Sequence, residues 1–173
     1  MPYTELDLEV KPEQEEEDHK LVIFAWSGDL DRVWPTLILA TSAAAMGWSV
    51  TVFFTFWGLF PLVKNDVRMT GDNWMQRMMS VMNRGGTDHL KLSKMNFVGA
   101  GPKMMRKLAR DNKVASPQEL LEAARDMGLH LIPCQMTMDL LGLKRDNLVE
   151  GLEDPAGATS ALLEADGGTT LFI

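Results

Sequence analysis

Residues 21–29 read LVIFAWSGD, an unbroken apolar run that ends in a short polar turn. Such a run is typical of a parallel strand that helices cover on both faces. The Ala-rich residues 30–46 predict a long helix that ends at Gly47, and residues 49–54 predict a second strand. These elements form a strand–helix–strand unit, whose crossover we expect to be right-handed.

The rest of the chain continues to alternate between strand and helix patterns. Its clearest boundary is Ser116-Pro117-Gln118-Glu119, a capping box with proline in the first turn, which predicts a helix that runs to Met127. We predict further helices over residues 72–83, 102–112, 136–141 and 156–165, a turn or short helix over 56–62, and strands over 129–132, 148–151 and 169–173. The alternation predicts an α/β fold, a single three-layer α/β/α sandwich with a mostly parallel five-stranded sheet.

Length and composition are those of one globular domain. The chain has 173 residues, of which 46% are hydrophobic and 24% are charged, which are ordinary values for a soluble protein. We assign residues 20–173 to the α/β domain and residues 1–19 to an acidic flexible tail. The net charge of −7 argues against a nucleic-acid partner, because phosphate binding needs a broad basic surface.

The apolar stretches are too short for a membrane-spanning helix. The longest, residues 50–63, contains a glycine and a proline, whereas a spanning helix needs about 20 apolar residues. Contact between a Met/Trp-rich surface and a membrane stays open at this stage. Residues 1–20 lack the basic and apolar regions of a secretory signal, and a single cysteine fits a reducing compartment. We therefore expect a cytoplasmic protein.

Cys134 is the only cysteine, and it lies where a predicted strand passes into a predicted helix. In parallel sheets, reactive groups collect at the carboxyl ends of strands. The backbone N–H groups of Gln135 and Met136 are candidates to stabilise a thiolate at such a corner. The alternative is that Cys134 is a small buried apolar side chain, as lone cysteines often are.

None of the three histidines has a spacing that would form a metal site with Cys134, and the chain has no second cysteine. His130 lies four residues earlier on the predicted strand, about 13 Å away at the rise of a β-strand. That separation is too long for a direct acid–base pair. We expect neither a metal ion nor a cofactor.

The predicted helix over residues 102–112 has a basic face, formed by Lys103, Arg106, Lys107 and Arg110 at helical spacing. In an acidic protein, this face is a candidate docking site for an acidic partner or a phosphate-bearing ligand. The alternative is an ordinary solvated helix face. The preceding residues 99–102, GAGP, offer N–H groups to an anion, but they lack the third glycine of a dinucleotide fingerprint, so a simple turn is the alternative there.

Methionine is unusually frequent, with 13 residues in the chain. Four of them form one apolar stripe at helical spacing: Met75, Met78, Met79 and Met82. Methionine fills irregular cores and adaptable interfaces. We interpret the stripe as core or subunit interface, with a docking groove as the alternative.

Four blocks of residues resemble the DsrE/DsrF/DsrH-like family, specifically the longer DsrE-like branch that is often labelled peroxiredoxin-family. The blocks are GDLD at 28–31 with AAAMG at 43–47, FFTFWGL at 53–59, GPKMM at 101–105, and IPCQMTMD at 132–139. The resemblance covers residues 20–173 and implies a compact α/β sandwich that assembles into homo-oligomers.

The resemblance also implies a chemistry. In the sulfur-relay members of this family, one cysteine accepts sulfane sulfur as a persulfide and passes it on, with small TusA-like carriers and rhodanese-like donors as partners. Only Cys134 matches the sulfur-carrying position. With one cysteine, a two-cysteine exchange is not expected, and no threonine–cysteine–arginine peroxide site supports the peroxiredoxin label.

Two hypotheses follow from the sequence. The favoured one is a sulfur relay on Cys134, and it leaves open whether the protein is a sulfurtransferase or a carrier. The basic helix would then recruit the acidic face of a carrier. The other hypothesis is a non-catalytic oligomeric scaffold or regulator with an inert Cys134, or a protein of the same fold that binds a nucleotide or coenzyme phosphate through residues 99–102.

Overall fold

Four parallel strands form one sheet in the computed structural model, which describes residues 19–67, 74 and 85–173. The strand order across the described sheet is β3-β2-β1-β4. All three pairings, β1 with β2, β1 with β4 and β2 with β3, are parallel. The strands are β1 (Lys20–Ala25), β2 (Ser49–Phe54), β3 (His130–Pro133) and β4 (Thr169–Phe172).

The helices of the described residues follow the predicted alternation. They are α1 (Leu30–Ala45), α2 (Ala100–Asp111), α3 (Pro117–Asp126), α4 (Gln135–Leu141) and α5 (Ala158–Ala165). Short 3₁₀ helices cover Phe56–Leu62, Thr87–His89, Phe97–Gly99 and Arg145–Asn147. The predicted capping box is present, since the Ser116 side chain accepts from the Glu119 N–H and the Glu119 carboxylate accepts from the Ser116 N–H. None of these helices is long and apolar enough to cross a membrane.

The prediction of a fifth strand over residues 148–151 is wrong for the described sheet. Leu148 instead makes one isolated antiparallel bridge with Val63, and the Val149 N–H donates to the Leu62 carbonyl. Leu148 is 1% exposed, so the apolar pattern correctly indicates burial. The segment follows the 3₁₀ helix Arg145–Asn147 and runs antiparallel to the end of the loop after β2, so it does not extend the parallel ladder. The predicted helix over residues 72–83 apart from Trp74, its methionine stripe, and the proposed acidic tail apart from His19 lie outside the described ranges.

Helices cover both faces of the sheet and give it three layers. One face carries Ile23, Val52 and Leu131 and packs under α1 and α3 as the main core. The other face forms a smaller buried cluster of Phe53, Ile132, Cys134 and Ala161, the last of which comes from α5. Because side chains alternate along a strand, neighbouring residues of one strand supply both clusters.

The loop after β2 lies very close to the end of β1. The Gly58 N–H donates to the carbonyl of Trp26 at 3.0 Å and to that of Thr55 at 2.9 Å. A Cβ atom at Gly58 would overlap the carbonyl group of Ala25. Glycine is therefore required for this approach, which fixes the carboxyl ends of β1 and β2 relative to each other.

We expect Gly58→Ala to lower the free energy of unfolding by about 3 kcal/mol, because the added methyl group must displace backbone rather than a flexible side chain. Gly157→Ala is the matched control, since no atom lies within 4 Å of a Cβ at that position, and it should change the stability by less than about 1 kcal/mol. Urea unfolding monitored by tryptophan fluorescence measures both values. Equal losses in the two variants would contradict the close approach at Gly58.

Candidate functional site

Cys134 lies at the carboxyl end of β3, where the chain turns into α4. Its N–H donates to the Phe54 carbonyl at 2.9 Å, which extends the β2–β3 pairing one residue beyond the strand. It also forms an isolated parallel bridge with Ala156. Cys134 is the N-cap of α4, and its carbonyl accepts from the Met138 N–H at 3.0 Å. The thiol-bearing residue is thus held by backbone hydrogen bonds on both sides.

The side chain of Cys134 is buried, with 3% of the residue exposed. It packs in the cluster with Phe53, Ile132 and Ala161, and the partly buried Ala156 packs against this cluster. These neighbours are apolar, and the two that come from outside the sheet are small alanines. The site is therefore a thiol buried in a small apolar cluster.

The two candidate thiolate-stabilising N–H groups, of Gln135 and Met136, differ in whether they already have an acceptor. The Gln135 N–H donates to the Ala156 carbonyl at 3.0 Å and is already occupied. The Met136 N–H lies in the first turn of α4, where an α-helix supplies no acceptor of its own. The carboxylate of Asp139, which would oppose a thiolate nearby, accepts from the Gln135 Nε2 at 2.7 Å on the exposed side of the helix.

Thr137 is a residue of this site that the sequence reasoning missed. It is 1% exposed, and its Oγ1 accepts from the Phe56 N–H at 3.0 Å and lies 3.3 Å from the Thr55 Oγ1. Phe56 has a φ of 48°, a left-handed conformation that is uncommon for a bulky residue. Thr137 thereby joins the first turn of α4 to the loop after β2. Its place in the CQMTMD block was the only available signal.

The basic residues of α2 do not join this site, because α2 contacts the layer formed by α1 and α3. A groove of about 740 Å³ there is lined by Trp34, Arg106 and Ser116 among others. The Arg106 Nη2 donates to the Thr87 carbonyl at 2.9 Å, and burial lowers the pKa of Arg106 although Asp88 opposes this shift.

The other three basic residues of the predicted face are exposed. Lys107 pairs with Asp111 at 3.0 Å within α2, while Lys103 and Arg110 point to the surface. Of the four predicted basic residues, three are therefore exposed cations, and Arg106 is held by its hydrogen bond to the Thr87 carbonyl. His130 is exposed as well, and its Nδ1 lies 2.9 Å from the Glu153 Oε1.

The glycine-rich stretch before α2 is built as a turn. The N–H groups of Gly99 and Gly101 donate to the Asn96 carbonyl at 2.8 and 3.2 Å, which leaves neither of them available to an anion. A Cβ atom at Gly101 would overlap the Met95 carbonyl. This glycine therefore serves a close backbone approach.

A small apolar cavity of about 130 Å³ lies beside α4. It is lined by Phe56, Trp57, Thr137, Leu140 and Leu141. Pockets that hold nucleotides or coenzymes are typically about 300 Å³ or larger. The cavity next to the Cys134 helix therefore does not fit such a ligand. Within the described ranges, no group of three or more His, Cys, Asp or Glu side chains is arranged to hold a metal ion.

Comparison with known proteins adds evolutionary context to this geometry. The model of the DsrE/DsrF/DrsH-like family matches residues 17–172. The uncharacterized protein YrkE of Bacillus subtilis is 38% identical over 159 residues, which cover 91% of this chain and 99% of YrkE. The sulfur carrier protein DsrE2 of Allochromatium vinosum is 34% identical over 160 residues, covering 91% and 99% of the two chains. The crystal structure of the YchN protein from E. coli has the same fold at 11% identity, with a TM-score of 0.56 over 90% of this chain and 99% of YchN.

We expect Thr137→Val to lower the free energy of unfolding by about 2 kcal/mol, because the isosteric side chain leaves the Phe56 N–H without its acceptor. Thr137→Ser is the control, since it keeps the hydroxyl and should lose less than half of that amount. Urea unfolding of the two variants checks the difference. If the valine variant were as stable as the serine variant, the hydrogen bond between α4 and the loop after β2 would not matter to the fold.

Proposed function

This chain belongs to the DsrE/DsrF/DrsH-like family, and on that premise we propose that it carries sulfane sulfur as a persulfide on Cys134. The observation that supports the proposal most directly is the 34% identity with a protein named as a sulfur carrier, over nearly the full length of both chains. Cys134 is the only residue of this chain with the chemistry to hold such a sulfur atom. Its place at the carboxyl edge of a parallel sheet is where ligands and reactive groups of such folds gather.

The proposed cycle balances without an external oxidant. The Cys134 thiolate attacks the outer sulfur of a donor persulfide, a new S–S bond forms, and the donor leaves as a thiolate. An acceptor thiolate then attacks the outer sulfur held on Cys134, takes that sulfur, and returns Cys134 as a thiolate. Within the part of the chain that the structure describes, the Met136 N–H is the next backbone donor after Gln135 and has no acceptor in its helix, so we assign it to the sulfur anion.

The burial of Cys134 requires that its cover opens. Helix α5 has eight residues and only one buried side chain, Ala161, and its N-cap Gly157 makes no side-chain capping bond. Helices this short are marginal without tertiary packing, and elements with few buried contacts open locally at low free-energy cost. We propose that displacement of α5 exposes the thiol for each transfer.

The proposal extends to partners and setting. Sulfur-transfer proteins of the TusA-like or rhodanese-like type would supply and accept the sulfur, and a free thiol carrier needs a reducing compartment such as the cytoplasm. A homo-oligomer is also part of the proposal. It would use the sheet edge at β4, where Phe172 is 72% exposed and stacks on Trp26 and Phe24.

The burial of Cys134 also favours a second candidate function. A cysteine that is 3% exposed among apolar neighbours is typical of a core residue, and the protein would then be a non-catalytic oligomeric scaffold or regulator. The two candidates differ in what the native thiol does when a persulfide is offered.

We expect incubation of the native protein with glutathione persulfide to add the mass of one sulfur atom to the Cys134 peptide, and a later acceptor thiol to remove it. Intact-protein and peptide mass spectrometry measure both steps. Cys134→Ser should remain folded and show no adduct. If Cys134 is modified only after the protein is unfolded, the sulfur-carrier proposal is wrong, and the non-catalytic scaffold is the supported candidate.

The opening of α5 has its own test. Ala161→Gly should speed alkylation and sulfur loading of Cys134 about fivefold, because glycine weakens a helix interior by about 1 kcal/mol. Ala124→Gly is the matched control, since Ala124 is an equally buried alanine of α3 on the other face of the sheet. Equal acceleration by both substitutions would show that global unfolding, rather than α5, exposes the thiol.

A further inference from the structure

Several apolar side chains on and just before α2 are exposed to solvent and do not belong to the core. Val98 is fully exposed, Met104 is 66% exposed and Leu108 is 58% exposed. We call this surface the α2 face and define it by its five exposed apolar residues: Phe97, Val98, Met104, Met105 and Leu108. None of them takes part in either buried cluster of the described residues.

The apolar residues of α2 are gathered on its outer side. At about 100° per residue, Met104, Met105 and Leu108 span only about 100° around the helix axis. Lys103 and Lys107 adjoin this stripe on one side, while the sector on its other side carries the buried Pro102 and the partly buried Arg106 and Ala109. The helix thus presents an exposed apolar stripe with lysines along one side, and its other side packs against the protein.

The backbone before α2 adopts an unusual conformation that leaves apolar side chains at the surface. Met95, Phe97 and Val98 have φ values of 57°, 38° and 53°, in the left-handed region that residues with a Cβ seldom adopt. Met95 and Phe97 are each 65% exposed. Strained backbone of this kind clusters at functional sites, and here none of the three side chains is buried.

The charge around the α2 face is opposite to that of the whole protein. Residues 94–113 contain six lysines and arginines and a single acidic residue, Asp111. The chain as a whole has a net charge of −7. A basic cluster on an acidic protein orients it toward an anionic surface.

We propose that the α2 face docks the protein on an anionic lipid bilayer, with Val98, Met104 and Leu108 inserted among the acyl chains and the lysines at the headgroups. A helix with a charged polar side, low overall hydrophobicity and an exposed apolar stripe is the type that lies in a membrane interface. Lysine stems extend along the apolar boundary while their ammonium groups stay at the lipid phosphates. The 12-residue α2 is a surface anchor in this arrangement and does not cross the bilayer.

A second copy of this chain fits the α2 face less well. Symmetric docking would bring the same patch of each copy together, and so would place two basic clusters opposite each other. A protein partner would need a surface shaped to receive side chains that project singly from a convex helix, whereas a bilayer accepts them without matching shape.

The test is co-sedimentation of the full chain with large unilamellar vesicles of phosphatidylcholine, and with vesicles of an equimolar mixture of phosphatidylcholine and phosphatidylglycerol. We expect binding to the anionic vesicles that weakens as salt is added.

Leu108→Asp should weaken this binding about tenfold or more, and Lys103→Gln about fivefold, the effect of one cation at an anionic surface. The controls are Leu162→Asp, at an equally exposed leucine of α5, and Lys144→Gln, at an exposed lysine outside residues 94–113; both should bind as the parent does.

Three results would overturn the proposal. They are no binding to anionic vesicles, equal binding to both kinds of vesicle, and equal effects of the α2 variants and their controls. If Leu108→Asp left vesicle binding unchanged but caused an oligomer to dissociate in analytical ultracentrifugation, the α2 face would instead be a subunit interface. Sulfur loading of Cys134 is measured without vesicles, so failure of lipid binding leaves the sulfur-carrier proposal untouched.

Discussion

The hydrogen bond from the Cys134 N–H to the Phe54 carbonyl is the contact on which the site depends. At 2.9 Å it continues the parallel pairing of β2 and β3 past the last residue of β3. This extra step places Cys134 on the same side of the sheet as Ile132 and Phe53, under α5, and not on the side of the main core. It also starts α4 at the sheet edge, because Cys134 is at once the end of the ladder and the N-cap of the helix.

From this anchor, a second set of contacts fixes the direction of α4. Thr137 accepts a hydrogen bond from the Phe56 N–H, and Gly58 lies against the end of β1. The chain therefore links the ends of three neighbouring strands through the loop that follows β2. These hydrogen bonds anchor the backbone around Cys134, and the buried cluster that holds its thiol includes Ala161 of α5, with Ala156 packed against it. In the proposed carrier, this burial would protect the thiol between transfers.

Much of the fold could be predicted from the sequence, because its signals are local. Unbroken apolar runs indicate buried parallel strands, and the capping box at Ser116 fixes a helix start almost to the residue. The wrong strand at residues 148–151 has a physical reason: the Leu148 side chain is buried in the main core, but its backbone makes one isolated bridge, to Val63, and apolar patterning reports burial rather than pairing. The hydrogen-bond partners of the site could not be predicted, because they are distant in the sequence. The acceptor of the Gln135 N–H lies 21 residues away at Ala156, and Thr137 bonds to a loop 81 residues earlier in the chain.

The central claim is that a buried Cys134 receives sulfur while the rest of the protein stays folded. The most direct measurement is the rate of sulfur loading by glutathione persulfide as urea rises through concentrations below the unfolding transition. We expect measurable loading without urea and a rate that rises with a slope well below that of global unfolding, because only α5 exposes surface on opening. Loading that is absent in the native range, or that follows the full slope of global unfolding, would contradict it.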